Sequence, residues 1–455
     1  MVALSATEQS LFNNLRATLM VSRKETVELN DYYENQHKLE QLGLAIPEEL
    51  KHFTVAVNWP RVTVDAIEQR LDVTGFRMPG VDAADKALRD VWEYNNMRER
   101  SGFAHIDALA LKRSYVCVST NDEDPDMPLI SVESPNEMIA VRDPRTHRIT
   151  AALRLYGKTT FGNDQRATLY LPNRTMWLRG DINGKWENEF DPDEHNLGSA
   201  PVVGMVNRNR ATRPTGSIVE GVSEMADVIP LADSASRALT NAQLAQETVS
   251  TPQKYALGMA ASDFTDPKTG EMVAKWDAYF GSVWASANKD ATIGQLASAD
   301  LANFETMINV YARQASALTF LPIEYFGLNT QQPPSADGQR AGEARLIKKA
   351  ERRQTSFGAS WESVNRLVLR FRDGDWNKDA ERIETLWRDA GTPTQAQVTD
   401  AVVKEYQSGL TDWETAQESL GRSPETIARM KTRRQADSAL ATGFGVQAAI
   451  DNDGA

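Results

Sequence analysis

The sequence predicts an α+β protein, predominantly helical, with one β-rich region between helical ones. Three observations carry that expectation. Apolar residues recur at helical spacing near both ends of the chain. Between Ser114 and Val206 they change to short alternating or wholly apolar runs separated by turn residues. Finally, Ala350, Phe357, Trp361, Val364, Val368 and Phe371 form one stripe on a helix expected from Gln339 to Arg372. That helix is about 50 Å long, beyond the usual globular length.

Residues 1–112 read as mainly helical. Ser5-x-x-Glu8 is a capping box ahead of Leu11, Leu15 and Leu19 on one face. A second helix carries Val27, Leu29, Tyr32, Tyr33 and Leu39 before Gly43 and Pro47. Asn58-Trp59-Pro60 opens another with Val64, Ile67 and Leu71, and short helices follow at Asp85–Asn96 and Gly102–Arg113. Strands are expected at Tyr115–Ser119, Leu129–Glu133, Ile139–Arg142, Ile149–Tyr156, Ala167–Leu171 and Thr175–Leu178. Asn183-Gly184 marks a hairpin, because both residues tolerate the positive φ of a tight turn. The acidic turn Asp122–Asp126 contains Pro125 and lacks calcium-loop spacing, so it reads as a solvated connection.

From Ser217 the period is helical again. Ser217-x-x-Glu220 caps a helix bearing Ile218, Val222, Met225 and Ile229, expected to kink at Pro230 and continue to Thr248. Residues 249–297 form an insert with a strand at Gln253–Leu257 and a cluster of Trp276, Tyr279, Phe280 and Trp284. A helix then carries Leu301, Phe304, Ile308, Tyr311, Ala315 and Leu318 until Pro322 stops it. The loop that follows has no Lys or Arg from Leu328 to Ala336, offering Asn329, Thr330, Gln331, Gln332 and Ser335 around Pro333-Pro334. On the long helix, Arg345, Lys348, Lys349, Arg352 and Arg353 form a basic run. A solvated face paired with Glu343 and Glu351 competes with direct phosphate contact as its role. Beyond Arg372 come short helices with capping boxes at Thr394-x-x-Gln397 and Thr411-x-x-Glu414, and with Gly409 and Gly421 at C-cap positions.

At 455 residues the chain can hold several cores, and its net charge of -13 argues against a protein that grips phosphates non-specifically. The single cysteine, Cys117, lies in an apolar strand and reads as a small buried hydrophobe. No apolar run is long enough to cross a bilayer and the N-terminus lacks a signal-peptide pattern, so an intracellular site of assembly is expected. Gly157-Lys158-Thr159-Thr160 lacks the glycine five positions earlier that a phosphate loop needs; Ala152 stands there. Five scattered histidines show no metal-ligand spacing, and there is no Gly-x-Ser-x-Gly elbow. Hence no catalytic residue, metal or cofactor is assigned.

Several segments in order resemble the portal proteins of long-tailed bacteriophages with actinobacterial hosts. They are Tyr32-Tyr33-Glu34-Asn35-Gln36-His37, Asn58-Trp59-Pro60-Arg61-Val62-x-Val64-Asp65, and Gly198-x-x-Pro201-Val202-Val203-x-Met205-x-Asn207-Arg208. Gly216-Ser217 and the helix–insert–helix–loop–long-helix succession complete the series. The resemblance implies a non-enzymatic ring, usually of twelve subunits, at one capsid vertex, through which double-stranded DNA is packaged and ejected. It implies a wing at 1–216 with its β-rich part at 114–206, a stem of helices 217–248 and 298–320, and a small α/β clip at 249–297. A tunnel loop and channel-to-wing helix would occupy 321–372, and a helical crown 373–455. The apolar residues Leu301, Phe304, Ile308, Tyr311, Ile218 and Val222 would pack subunits together. The clip aromatics would either form a self-contained core or pack between subunits and present the docking surface for the terminase large subunit and then the head–tail adaptor, with the major capsid protein and scaffolding as further partners and no membrane. A helical capsid or adaptor protein without a channel, or an ATP-driven motor, are the competing readings.

Overall fold

Ser5 and Glu8 start the first helix as the capping box requires. The Ser5 amide donates to the Glu8 carboxylate at 2.9 Å and the Glu8 amide to Ser5 Oγ at 3.4 Å. The structure, a computed structural model, describes residues 4–37, 55–81, 84–157, 165–180, 186–211, 219–249, 254–258, 292–295, 302–328, 336–391, 395–422 and 426–435. Its contacts divide the chain into two compact units. One comprises Met1–Tyr33, Arg61–Ala226 and Ser335–Ala455; the other comprises Glu34–Pro60 and Asp227–Pro334.

In the first unit, helix α1 (Ala6–Tyr33) is continuous where the sequence suggested two helices. No Gly or Pro stands between Leu19 and Val27, and the Ser22 and Thr26 hydroxyls donate back to carbonyls of the preceding turn. Its Phe12, Leu15 and Leu19 are buried against one face of a five-stranded antiparallel meander. That sheet comprises β4 (Met138–Arg142), β5 (Ile149–Tyr156), β6 (Gln165–Tyr170), β7 (Thr175–Gly180) and β8 (Trp186–Asn188). Strand alternation splits the core: Ala151 and Leu153 of β5 join α1, whereas Ala152 joins Tyr115, Cys117, Tyr170 and Val202. The latter group links to a three-stranded sheet ordered β3 (Leu129–Glu133), β2 (Arg113–Ser119), β9 (Val202–Val206). Strands β8 and β9 were not anticipated. Three residues are too few to show a period, and Gly204 interrupts the other run.

Helices α2 (Trp59–Glu68), α3 (Lys86–Tyr94) and α4 (Met97–Ala110) lead into β2, and the long helix α7 (Ala336–Asp373) packs on β2 and β9. A two-stranded sheet joins β1 (Val73–Arg77) to β12 (Glu384–Trp387), a pairing the sequence did not suggest. Beside it, Phe76, Trp92 and Trp361 form edge-to-face contacts at 5.1 and 5.0 Å. In the C-terminal region α8 (Gln395–Gln407) and α9 (Trp413–Ser419) follow. Asp412, not Thr411, caps α9, accepting from the Glu414 and Thr415 amides at 3.3 and 3.1 Å. Thr411 sits one residue too early to reach those donors. Gly409 and Gly421 both lie at φ 75°, the left-handed conformation a helix C-terminus calls for.

The second unit contains α5 (Ile229–Val249), the antiparallel pair β10 (Lys254–Leu257) and β11 (Thr292–Gln295), and α6 (Ala302–Thr319). The helix expected to begin at Ser217 and kink at Pro230 instead starts at Ile229. Pro230 therefore occupies the first turn, where a missing amide donor costs nothing. α6 ends at Thr319, with Phe320 in the left-handed region at φ 63°.

Candidate functional site

Small residues make up the buried positions of the helix pair α5–α6. They are Ala232, Ala235, Ser236, Ala238 and Thr240 on α5, and Ala312, Ala315 and Thr319 on α6. Side chains of this size let two helix backbones approach closely. The large apolar residues of α6 point elsewhere: Met307 is 48% exposed, Val310 48% and Leu318 51%. With Asn303 and Gln314, also exposed, they follow one another by three or four residues and share one uncharged face. Of the residues expected to pack subunits, Phe304, Ile308 and Tyr311 are half-buried on α6. Val222 is half-buried in the first unit and lies on no helix. Leu301 and Ile218 lie outside the described residues.

Helix α5 also holds an extended segment through its hydroxyls. Ser236 Oγ and Thr240 Oγ1 accept from the Val57 and Val55 amides at 2.9 and 3.2 Å, and each donates to the carbonyl four residues before it. The spacing fits because four helical residues rise about 6 Å and two extended residues about 6.6 Å. Ser and Thr four apart on a helix is the available sequence signal, and a weak one, because such residues more often face solvent.

The basic run on α7 separates into two groups. Lys349 Nζ lies 2.8 Å from Glu224 Oε2, and Arg353 Nε donates to Glu224 Oε1 at 3.0 Å. The Glu224 side chain is fully enclosed. Burial pushes its carboxyl up, but the Lys349 and Arg353 charges outweigh that and hold it down at about 2. These two cations therefore neutralise an internal acid. Lys348 pairs with Glu351 at 2.7 Å on the exposed side, and Arg345 and Arg352 are exposed. Glu343 turns to the buried Arg70 at 3.3 Å instead of to the run.

The loop residues Asn329, Thr330, Gln331, Gln332 and Ser335 lie outside the described residues, as do Trp276, Tyr279, Phe280 and Trp284. The loop's borders are described: a 3-10 turn at Ile323–Phe326 ends on Gly327 at φ 82°, and α7 begins at Ala336. At the first border, Phe326 meets the Trp59 ring edge-on at 5.5 Å.

Among the described residues, the most perturbed histidine is packed in the interior. His105 Nε2 accepts from Trp361 Nε1 at 2.9 Å, its ring stacks on Phe357, and burial lowers its pKa to about 3. It is a neutral acceptor within an aromatic cluster. Among the described residues, no group of three His, Cys, Asp or Glu side chains could hold a metal ion. No helix of the described residues is long and apolar enough to cross a membrane.

Comparison with known proteins agrees with the order of the sequence segments. The profile of the family described as "Phage portal protein, SPP1 Gp6-like" matches residues 19–439. The portal protein of Mycobacterium phage D29 is 36% identical over 427 residues, covering 91% of this chain and 86% of the relative. That of Mycobacterium phage L5 is 34% identical over 435 residues, covering 92% and 87%. Among solved structures, a chain of the "Neck of empty GTA particle computed with C6 symmetry" aligns at TM-score 0.48 and 13% identity, covering 88% of this chain and 94% of that one. A chain of the "Virion of native gene transfer agent (GTA) particle" aligns at 0.46 and 14%, covering 85% and 96%. On the family match and the two phage relatives, this chain belongs to the SPP1 Gp6-like phage portal proteins.

Proposed function

We propose that this chain is one subunit of a closed homo-oligomeric ring, of twelve subunits in the arrangement the family resemblance implies, at one vertex of a phage capsid. Double-stranded DNA passes through its axial channel during packaging and ejection. The ring is structural, with DNA movement driven by a separate terminase. The observation that carries this reading is the uncharged face of α6, left exposed while alanines and a threonine supply the buried contacts on that helix. A helix that hides its small residues and presents Met307, Val310 and Leu318 is built to be covered by another chain. Because the same patch recurs on every copy, a head-to-tail contact repeated with a closing rotation produces a ring. Burying the exposed parts of those three side chains contributes about 1 kcal/mol each per interface.

Within that ring, α5 and α6 form the stem, residues 249–297 the clip, and α7 the helix from channel to wing. Residues 329–335 carry no cation, and their neutral amides and hydroxyls give weak, interchangeable contacts to phosphate that suit a sliding duplex. The clip aromatics dock the terminase large subunit and then the head–tail adaptor, while the major capsid protein and scaffolding meet the outside of the ring.

The test is Met307→Glu with Leu318→Glu. Both positions are half-exposed, so the isolated subunit should keep its fold while light scattering and electron microscopy show monomers or open oligomers. Intact rings from this double variant would overturn the assignment of α6 to the subunit contact. A deletion within residues 329–335 should leave rings intact and impair packaging or retention of DNA. Normal genome retention would reduce that loop to a connector.

A further inference from the structure

Within the first unit, α1, β2, β9 and the β4 edge of the five-stranded sheet line a cavity of about 270 Å³ that is open to solvent on one side. Its wall includes Thr18, Ile139, Val206 and two arginines, Arg113 and Arg142. Arg113 is only 3% exposed. Its Nε donates to Tyr115 Oη at 3.0 Å and its Nη2 to Ser22 Oγ at 3.4 Å, both neutral acceptors. Its Nη1 is buried with no hydrogen-bond partner among the described residues. A guanidinium stays protonated in any protein environment, so Arg113 places a permanent charge in the wall of the cavity. Leaving such a group uncompensated is strongly unfavourable.

The second arginine is seated by the backbone. Arg142 donates from Nη1 to the His147 carbonyl at 3.0 Å and from Nη2 to the Gly204 carbonyl at 3.3 Å. A Cβ on residue 204 would stand 2.5 Å from Arg142 Nη2, so glycine is what admits the guanidinium there. Glu220, the acid on the cavity wall, lies 3.4 Å from Arg142 Nε. Two arginines and one carboxylate leave the wall with an excess positive charge, set among Ile139, Val141, Val206 and Val219.

We propose that this cavity binds one small oxyanion, a phosphate or a carboxylate on a short apolar stem, held by the positive charge that Arg113 and Arg142 place in its wall. Size sets the class. The volume equals about nine waters at roughly 30 Å³ each and is smaller than pockets for drug-sized ligands, about 300–1,000 Å³. A single oxyanion with a small aliphatic group matches that volume. The planar guanidinium suits either anion, and the apolar wall suits the stem. The site joins α1 to both sheets and is independent of ring formation.

The experiment is thermal unfolding of the full chain at pH 7 in inorganic phosphate or isobutyrate, against sodium chloride of matched ionic strength. The expected result is a saturable rise in melting temperature of a few degrees with either anion, absent in Arg113→Met. Since Arg113→Met alters a buried position, Gly204→Ala provides a second variant. It displaces Arg142 and should weaken the anion effect several-fold while Arg113 remains. Equilibrium dialysis with radiolabelled phosphate should give one site per subunit in the wild-type chain. Equal stabilisation by chloride, or an anion effect unchanged in both variants, would mean the cavity holds only water and would overturn the proposal.

Discussion

Helices α1 and α6 are both amphipathic, yet they use their large residues in opposite ways. α1 buries Phe12, Leu15 and Leu19 against the sheet of its own unit. α6 buries Ala312, Ala315 and Thr319 and exposes Met307, Val310 and Leu318. The first arrangement is complete within one chain. The second leaves its larger apolar side chains exposed. Burial of volume, and not apolar spacing alone, distinguishes a helix that completes the core of its own unit from the helix we propose joins subunits.

The comparison can be broken most forcefully at α1. Phe12→Ala with Leu15→Ala removes side chains at or below 1% exposure. The pair should cost about 5 kcal/mol or more of subunit stability, read by denaturant unfolding. A loss near that expected for surface changes would mean α1 is not part of the core. Next in size is Glu224→Ala, which removes the buried carboxylate that Lys349 and Arg353 share, at a cost of about 3–5 kcal/mol. Glu224→Gln should cost less, since it keeps a hydrogen-bond acceptor.

Acid separates the same internal groups. His105 is neutral in the fold, with a pKa lowered from 6.5 to about 3 by burial. Its contribution is therefore full above pH 6.5 and is lost as pH falls towards 3, because the unfolded chain takes up the proton first. Glu224, lowered from 4.5 to about 2, adds a second loss between pH 4.5 and 2. Unfolding free energy followed across pH 7 to 3 should decline in wild type and decline less in His105→Gln. Identical slopes would mean that His105 is accessible to protons in the fold.

Thr240→Val leaves the Val55 amide without its acceptor and should cost about 1–3 kcal/mol, seen as faster amide exchange at residues 55–57. Unchanged exchange would show that the hydroxyl does not hold that segment. The smallest effect on the isolated subunit belongs to Met307→Glu, expected within about 0.5 kcal/mol because the site is exposed. A large loss of monomer stability there would erase the contrast between α6 and α1.

What the sequence determined was local. The Ser5–Glu8 box, the six strands between 115 and 178, Gly409 and Gly421 as helix ends, and the long helix through Trp361 each depend on residues within a few positions of one another. Their signals survive because capping, alternation and left-handed turns are short-range. The family, too, was legible, from the order of segments such as Asn58-Trp59-Pro60 along the chain. Tertiary structure decided the rest. Val73 pairs with Trp387 across most of the sequence, and Glu224 finds its cations on α7, with Arg353 129 residues away. No local pattern announces such partners, since loop closure between distant segments is decided by the summed packing of the core. For α6 the stripe from Phe304 to Leu318 was readable, but not which part of it the protein would cover. Tertiary packing decided that, burying Ala312 and Ala315 beside an α5 whose own buried positions are also small, and leaving Met307 and Leu318 exposed.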